Sequence, residues 1–280
     1  MIISTIRLRN YPEDQEEKFP WNLPLIKNFE ELQLEKNITF FVGENGSGKS
    51  TILEAIAAYT EVPLAGSFRL EDDKSLAAAN ELANYLSIRY EDKTQHGFFV
   101  RAEDFIGFAR NIKNEIKELE KEIEEVKETF EGGDIKLTLG ALEGEKNAFI
   151  KRYTADLEAL SHGEGFLKFF TSRITAKGIY LIDEPEAALS PTRQLSLLAL
   201  IMEKVKSTGA HFIIATHSPI IMSVPDSEVF YFEDGTITKK DYRETEHYML
   251  TKSILDGPEL VFRHLGEEPA GVDGNMDLTD

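Results

Sequence analysis

The chain has 280 residues, 41% of them hydrophobic, a formal net charge of −19 and no cysteine. That size and apolar content suffice for one large domain or two small ones without external staples. The missing cysteines exclude disulfides, thiolate metal sites and cysteine nucleophiles, and the acidity argues against broad attraction to nucleic acid or anionic lipid, which Lys and Arg drive.

In chain order, Met1–Leu8 opens as an amphipathic strand without a basic n-region, and no segment has the length of a membrane span. The expectation is a cytoplasmic protein without intrinsic membrane insertion. A strand over Ile2–Arg9 is followed by a polar, proline-containing loop from Tyr11 to Pro24 and then by the apolar run Ile38–Val42. A helix from near Lys49 to Tyr59, a turn with Pro63 and Gly66, an alanine-rich helix over Ser75–Leu86 and a strand over Gly97–Arg101 come next. From Asp104 to Phe130, Ile112, Ile116, Leu119, Ile123, Val126 and Phe130 form a heptad seam. At about three heptads it is at the lower limit for a coiled-coil arm and reads as an amphipathic helix packed on its own domain. Gly132-Gly133-Asp134 breaks it, and a polar helix is expected over Glu145–Leu160. The last third alternates: strand Gly178–Asp183, helix Thr192–Lys206, strands His211–Thr216 and Glu228–Phe232, and a helix near Glu244–Leu255. Such alternation predicts a parallel sheet covered by helices. The acidic tail 267–280 is expected to be disordered.

Gly43-Glu44-Asn45-Gly46-Ser47-Gly48-Lys49-Ser50-Thr51 matches GxxxxGK[ST], placed between a strand and a helix. Glycines let successive N–H groups face phosphate oxygens, and the helix adds its positive end. Lys49 is expected to reach the β and γ phosphates and Ser50 to ligate Mg²⁺ beside a bound nucleoside triphosphate. Ile179–Ile182 followed by Asp183-Glu184-Pro185 carries a carboxylate to a strand end, where Asp183 can hold Mg²⁺ and Glu184 can orient or deprotonate the attacking water. Ile213–Thr216 ends at His217, which the strand order brings to the same edge as a γ-phosphate sensor. Leu160-Ser161-His162-Gly163-Glu164-Gly165 is a second glycine-containing turn ahead of a helix. Taken alone it is a helix cap with Ser161 as N-cap; as a phosphate cradle it serves a nucleotide held by another molecule.

These pieces, in this order, resemble the ABC-class P-loop ATPases: Walker A at Gly43–Ser50, a signature loop at Leu160–Glu164, Walker B at Ile179–Asp183 with Glu184, and a switch histidine at His217. Phe98–Phe105, Ala215–Pro219 and Pro225–Gly235 look most like small stand-alone AAA/ABC-type ATPases related to RecF and SMC heads. The resemblance implies an α/β P-loop NTPase head with a mostly parallel core sheet, an N-terminal antiparallel β region and a helical subdomain at about 104–175 inserted in a single domain spanning 1–266. It also implies ATP and Mg²⁺ as cofactors and a homodimer in which ATP on Lys49 and Ser50 of one copy is covered by Ser161 and Gly163 of the other. A partner protein or DNA is a further expectation. The alternative is the ATP-binding subunit of a membrane transporter, against which Phe166-Leu167-Lys168-Phe169-Phe170 lacks the arginine-containing helix usual there. The signature has His162 where the family usually has glycine, and Ser190 stands at the usual D-loop Asp position. Glu103, and less well Gln95, are the candidates for the Q-loop place; Arg7, Arg9, Tyr11, Phe19 and Trp21 are the candidates for the adenine contact.

Overall fold

The apolar runs become parallel strands because helices and a second sheet bury both their faces. The computed structural model describes residues 1–9, 12, 17–64, 76–102, 116–127, 135–149 and 162–266. Strands β3 (Ile38–Gly43), β6 (Ile179–Asp183) and β7 (His211–Ala215) are buried at every residue. With β5 (Gly97–Arg101), β8 (Glu228–Glu233) and β9 (Thr236–Lys240) they form a six-stranded sheet in the order β5-β6-β7-β3-β8-β9. All its pairings are parallel except β8 with β9. The sequence reading missed β9, although Asp234-Gly235 signals its hairpin. Both residues have positive φ (48° and 71°), as a two-residue turn matching strand twist requires.

The N-terminal sheet has the order β2-β1-β4 and is antiparallel, with β1 at Ile3–Leu8, β2 at Glu31–Gln33 and β4 at Leu86–Tyr90. The alanine-rich helix α3 covers only Ala77–Ala83; the expected continuation to Leu86 gives way to β4, where Leu86 and Ile88 are buried at period two. A short helix α1 (Pro24–Asn28) also precedes β2, inside a stretch read as loop and strand. His211 ties the two sheets: its Nδ1 accepts from the backbone N–H groups of Ile2 (3.3 Å) and Ile3 (3.1 Å). Burial, helped by the N-terminal ammonium, pushes this imidazole down to about 3, so it stays a neutral acceptor.

On one face of the core sheet, α2 (Lys49–Thr60) packs with the N-terminal sheet around Phe41, Ile52 and Ile56. On the other, Phe166 and Phe170 of α6 (His162–Arg173) join Phe98, Tyr180, Phe212 and the apolar face of α7 (Pro191–Thr208). Phe166 and Phe170 have no exposed surface. Their packing anchors α6, which already includes His162, Gly163, Glu164 and Gly165, so the glycine-containing turn expected ahead of the helix is helical from His162 onward; each large aromatic contributes roughly 2–3 kcal/mol of burial.

Helix α4 (116–127) buries Ile116 and Ile123 of the expected seam; Ile112 and Phe130 lie outside the described residues. Lys146 pairs with Glu120 (3.2 Å) and Lys127 with Glu143 (3.9 Å), which sets α4 antiparallel beside α5. That second helix spans Ile135–Phe149, ten residues earlier than the polar stretch suggested, and 150–161 lie outside the described residues. The tail 267–280 does too. Helix α8 (Pro219–Met222) follows β7, and two further helices, α9 (Glu246–Asp256) and α10 (Pro258–Gly266), follow β9, α9 lying close to the predicted span.

A buried carboxylate locks the far side of the sheet. Glu228 Oε1 accepts from Glu35 N (2.9 Å), Lys36 N (3.1 Å) and Thr39 Oγ1 (3.0 Å), while the Lys239 ammonium lies 2.9 Å from Oε2 as an ion pair without hydrogen-bond alignment. Glu228→Ala removes the acceptor but leaves the buried donors, so a loss of about 2 kcal/mol in urea unfolding is expected, with a shift in midpoint and an unchanged slope. An unaltered midpoint would show those donors to be served by water.

Candidate functional site

Phe41 of β3 stands opposite Ala215 of β7, and Ala215 opposite Asp183 of β6, so the residues leaving these strands emerge together at one edge. Because β7 lies between β3 and β6, His217 sits between the glycine loop and the Asp183-Glu184 pair. The edge is the carboxyl end of the parallel strands, where open α/β sheets bind ligands.

Between β3 and α2 the chain turns through Gly43–Gly48. A Cβ on Gly43 would meet the Phe232 carbonyl oxygen at 2.3 Å, and one on Gly48, at φ 96°, would meet Leu25 Cδ2 at 2.5 Å, so neither position admits another residue unmoved. Helix α2 starts with no side-chain cap and no acidic residue in its first turn. Its N–H groups and dipole therefore stay available to an anion. Glu44, Asn45 and Gly46 are exposed at the tip, Ser47 and Thr51 are half-buried, and the Ser47 hydroxyl is buried without a partner.

Lys49 is 4% exposed and donates to the carbonyl oxygens of Gly43 (2.8 Å) and Glu44 (2.9 Å). Burial lowers its pKa, against the pull of Glu184, Asp183, Glu44 and Glu186. Beside it, Ser50 Oγ donates to Asp183 Oδ1 at 3.2 Å. Burial pushes the Asp183 carboxyl up to about 7, the Ser50 hydrogen bond and Lys49 opposing and Glu184 and Glu54 adding to the rise.

Glu184 takes the left-handed conformation, φ 47°, while its N–H bonds Ala215 O at 2.9 Å. A non-glycine residue there is held by its surroundings, and such backbone concentrates at functional sites. Its carboxylate stands 3.4 Å from His217 Nε2. Burial first, then the Lys49 charge, lowers the His217 pKa, so the ring is neutral at physiological pH.

Three residues at this edge are not announced by the sequence. Glu186 Oε1 accepts from Thr216 Oγ1 (2.8 Å) and from the His217 N–H (2.6 Å), fixing the backbone on which the histidine stands; burial raises its pKa. It is the second acidic residue after β6, but only its position under the His217 loop distinguishes it. His247, on α9, brings Nε2 to 3.0 Å from His217 Nδ1, and no motif spacing announces it. Gln194, likewise unremarked, accepts from Ser218 Oγ (2.6 Å) and donates to Leu189 O (3.2 Å), bracing the same loop.

Other candidates separate. Trp21 is fully buried, donates to Glu81 Oε1 at 2.9 Å and packs edge-on against Tyr85; it is a core residue and not a base contact. Arg7 pairs with Glu31 (2.9 Å) on the N-terminal sheet, while Phe19 and Arg9 are exposed. Tyr11, Glu103 and Ser161 lie outside the described residues, Gln95 is exposed, and Gly163 lies in the first turn of α6.

An anion cradle, a buried ammonium, a hydroxyl–carboxylate oxygen pair, a half-buried carboxylate and a neutral imidazole at one sheet edge suit a triphosphate and its hydrolysis. The fold and this site define a P-loop ATPase. The family model described as "AAA domain, putative AbiEii toxin, Type IV TA system" matches residues 59–223, more than half of the chain, and a second AAA-domain model matches 22–95, which includes the glycine loop. The chain belongs to the first of these families.

Among curated proteins, the chain is similar to the thiamine import ATP-binding protein ThiQ of Ruegeria sp. (strain TM1040), 27% identical over 64% of this chain and 69% of the relative. It is also similar to a putative ABC transporter ATP-binding protein of Methanosarcina acetivorans, 24% identical over 85% and 69%. Solved structures that match include an ATP-binding cassette of an ABC transporter in its ADP conformation (TM-score 0.43, 20% identity, 95% of this chain and 99% of that one). Another is the Smc head domain of Pyrococcus furiosus bound to the C-terminal domain of ScpA (TM-score 0.42, 14% identity, 93% and 100%). The expected ABC-class ATPase is borne out by the family match and these relatives.

Proposed function

We propose that this ATPase is an ATP-gated dimerising switch, two copies closing over ATP and separating after hydrolysis. The observation that carries the reading is the meeting of Lys49, Ser50, Asp183, Glu184 and His217 beside the uncapped start of α2. In it, the loop amides of Gly43–Thr51 bind the phosphates, and Lys49 exchanges the Gly43 and Glu44 carbonyls for β and γ oxygens. The donor set fits Mg²⁺: the Ser50 hydroxyl and Asp183 carboxylate offer adjacent hard oxygens, and this ion commonly takes only one or two protein ligands beside phosphate. When bound, Mg²⁺ supplies charge neutralisation across the phosphates. Glu184 orients the attacking water and accepts its proton, and His217 Nε2 holds the γ-phosphate and that water in line.

The second half of the enclosure is assigned to Ser161 and Gly163 of the other copy, because α6 begins at this turn and is anchored in the core by Phe166 and Phe170. We assign 1–266 to one ATPase domain with a helical subdomain at about 104–175. The cell compartment consistent with this is the cytoplasm; among the described residues no helix is long and apolar enough to cross a membrane. We assign its role to DNA maintenance or defence, and the toxin–antitoxin wording of the family description lends weight to defence alone.

Glu184→Gln tests the reading. The variant should lose hydrolysis by about 10²-fold or more yet elute as a dimer in Mg-ATP and as a monomer without it. A variant that stays monomeric in saturating Mg-ATP and turns over like the parent overturns the proposal. The names of the relatives support a second reading, an ATP-binding subunit for a transporter; recovery of a polytopic membrane protein with the tagged chain would favour it.

A further inference from the structure

His217 has both ring nitrogens engaged, and the engagement is asymmetric. Nε2 faces the Glu184 carboxylate at 3.4 Å and has no hydrogen-bond partner of its own, while Nδ1 stands 3.0 Å from His247 Nε2. One proton must lie between the two imidazoles, since two facing N–H groups at 3.0 Å repel and two facing lone pairs leave a buried gap unbonded. The Glu184 carboxylate favours an N–H on His217 Nε2 and hence a bare Nδ1. The proton in the pair therefore belongs to His247 Nε2, which donates to His217 Nδ1. A carboxylate, Glu44 Oε1, 3.6 Å from His247 Nε2 favours the same placement.

His247 is presented rigidly. It is the second residue of α9, whose N-cap Thr245 is fully buried, donates from Oγ1 to Tyr242 O (2.6 Å) and accepts from Tyr248 N (3.4 Å). The Tyr231 ring packs edge-on to it at 6.5 Å. Glu186 accepts from the His217 N–H and so fixes the backbone on which that ring stands.

We propose that His247 is a positioning residue of the ATPase site: its Nε2–H fixes His217 as the Nε2-protonated tautomer and points that donor at the γ-phosphate. The proposal rests on the functional reading above. It also makes α9, far along the chain from the glycine loop, part of the hydrolytic edge. Hydrogen bonds that orient a metal-ligating imidazole through its second nitrogen are worth about 10- to 100-fold in affinity or activity, and a loss of the same order is expected for His217.

The test uses the full chain with His247→Leu and His247→Gln, the latter offering an amide N–H near the same place. For His247→Leu we expect kcat to fall about 10- to 100-fold while KM for ATP moves less than about threefold, with recovery in His247→Gln. In a His217→Ala background, His247→Leu should cost nothing further. In ¹⁵N-histidine-labelled protein, His217 Nδ1 should resonate as an unprotonated nitrogen in the parent and in His247→Gln, and lose that single-tautomer signature in His247→Leu. Parent-like kcat in a folded His247→Leu, a Gln variant no better than Leu, an equal loss without His217, or a protonated His217 Nδ1 in the parent would each overturn the inference. A parent without ATPase activity would refute the functional reading instead; the nitrogen spectra would then decide this inference alone.

Discussion

Lys49→Ala is expected to lower kcat/KM for ATP by about 10³-fold or more, the largest single loss available in this chain. The ammonium lies within hydrogen-bond reach of the loop carbonyls of Gly43 and Glu44 and stands amid Glu44, Asp183, Glu184 and Glu186. Without it a polyanion entering the edge meets carboxylates uncompensated. The folded state should tolerate the change, because burial already works against the charged lysine. Lys49→Arg should not restore turnover, since a planar guanidinium cannot occupy a slot sized for a compact ammonium between the carbonyls of Gly43 and Glu44. Phosphate release and fluorescent-nucleotide binding would be measured together. Turnover within tenfold of the parent would remove Lys49 from the proposed mechanism.

Asp183→Asn should abolish most activity and yet stabilise the ligand-free chain above neutral pH. In the folded state burial holds the carboxyl's pKa at about 7, against 3.8 for the ordinary group. The folded form therefore binds the proton more tightly than the unfolded form, and stability is lost as pH rises from about 4 to about 7. Above that range the ionised, desolvated carboxylate is fully destabilising. The amide has no such proton to lose and can still accept from Ser50. At pH 8 with a chelator present, the variant should exceed the parent by roughly 2–4 kcal/mol, and the two should converge near pH 4. Comparing variant with parent cancels the contribution of Glu186, whose burial raises its pKa in the same direction. A variant less stable than the parent at pH 8 would mean that the carboxylate is well solvated. Such a cost in the empty protein is what a site built to receive a cation and a polyphosphate carries until they bind.

Much of this was legible because local chemistry is written contiguously. A glycine loop between a buried strand and an uncapped helix depends on neighbours in sequence, and β3, β6, β7 and α7 all lie close to where periodicity put them. The misreadings have local causes. In Leu86–Tyr90 a short alternating strand follows directly on the alanine-rich helix, so the helical signal extends into its first residue and leaves the remaining four unassigned. In α5, Gly140 and Gly144 hid a helix among apparent breakers. Trp21 looked available as a base contact until its ring was seen to fill the core.

The sequence by itself determined the kind of chemistry proposed: residues 43–51 read as an anion cradle, since the succession of strand, glycine turn and helix start is set by adjacent residues and short-range sterics. Tertiary structure alone decided which distant groups share that cradle. The order β6-β7-β3 sets Asp183, Glu184 and His217 around Lys49, and the return of α9 brings His247 to His217. Their burial, and with it the neutral imidazole and the raised carboxyl, exists only once the sheet is covered, because desolvation is a property of the packed whole and not of any stretch of chain.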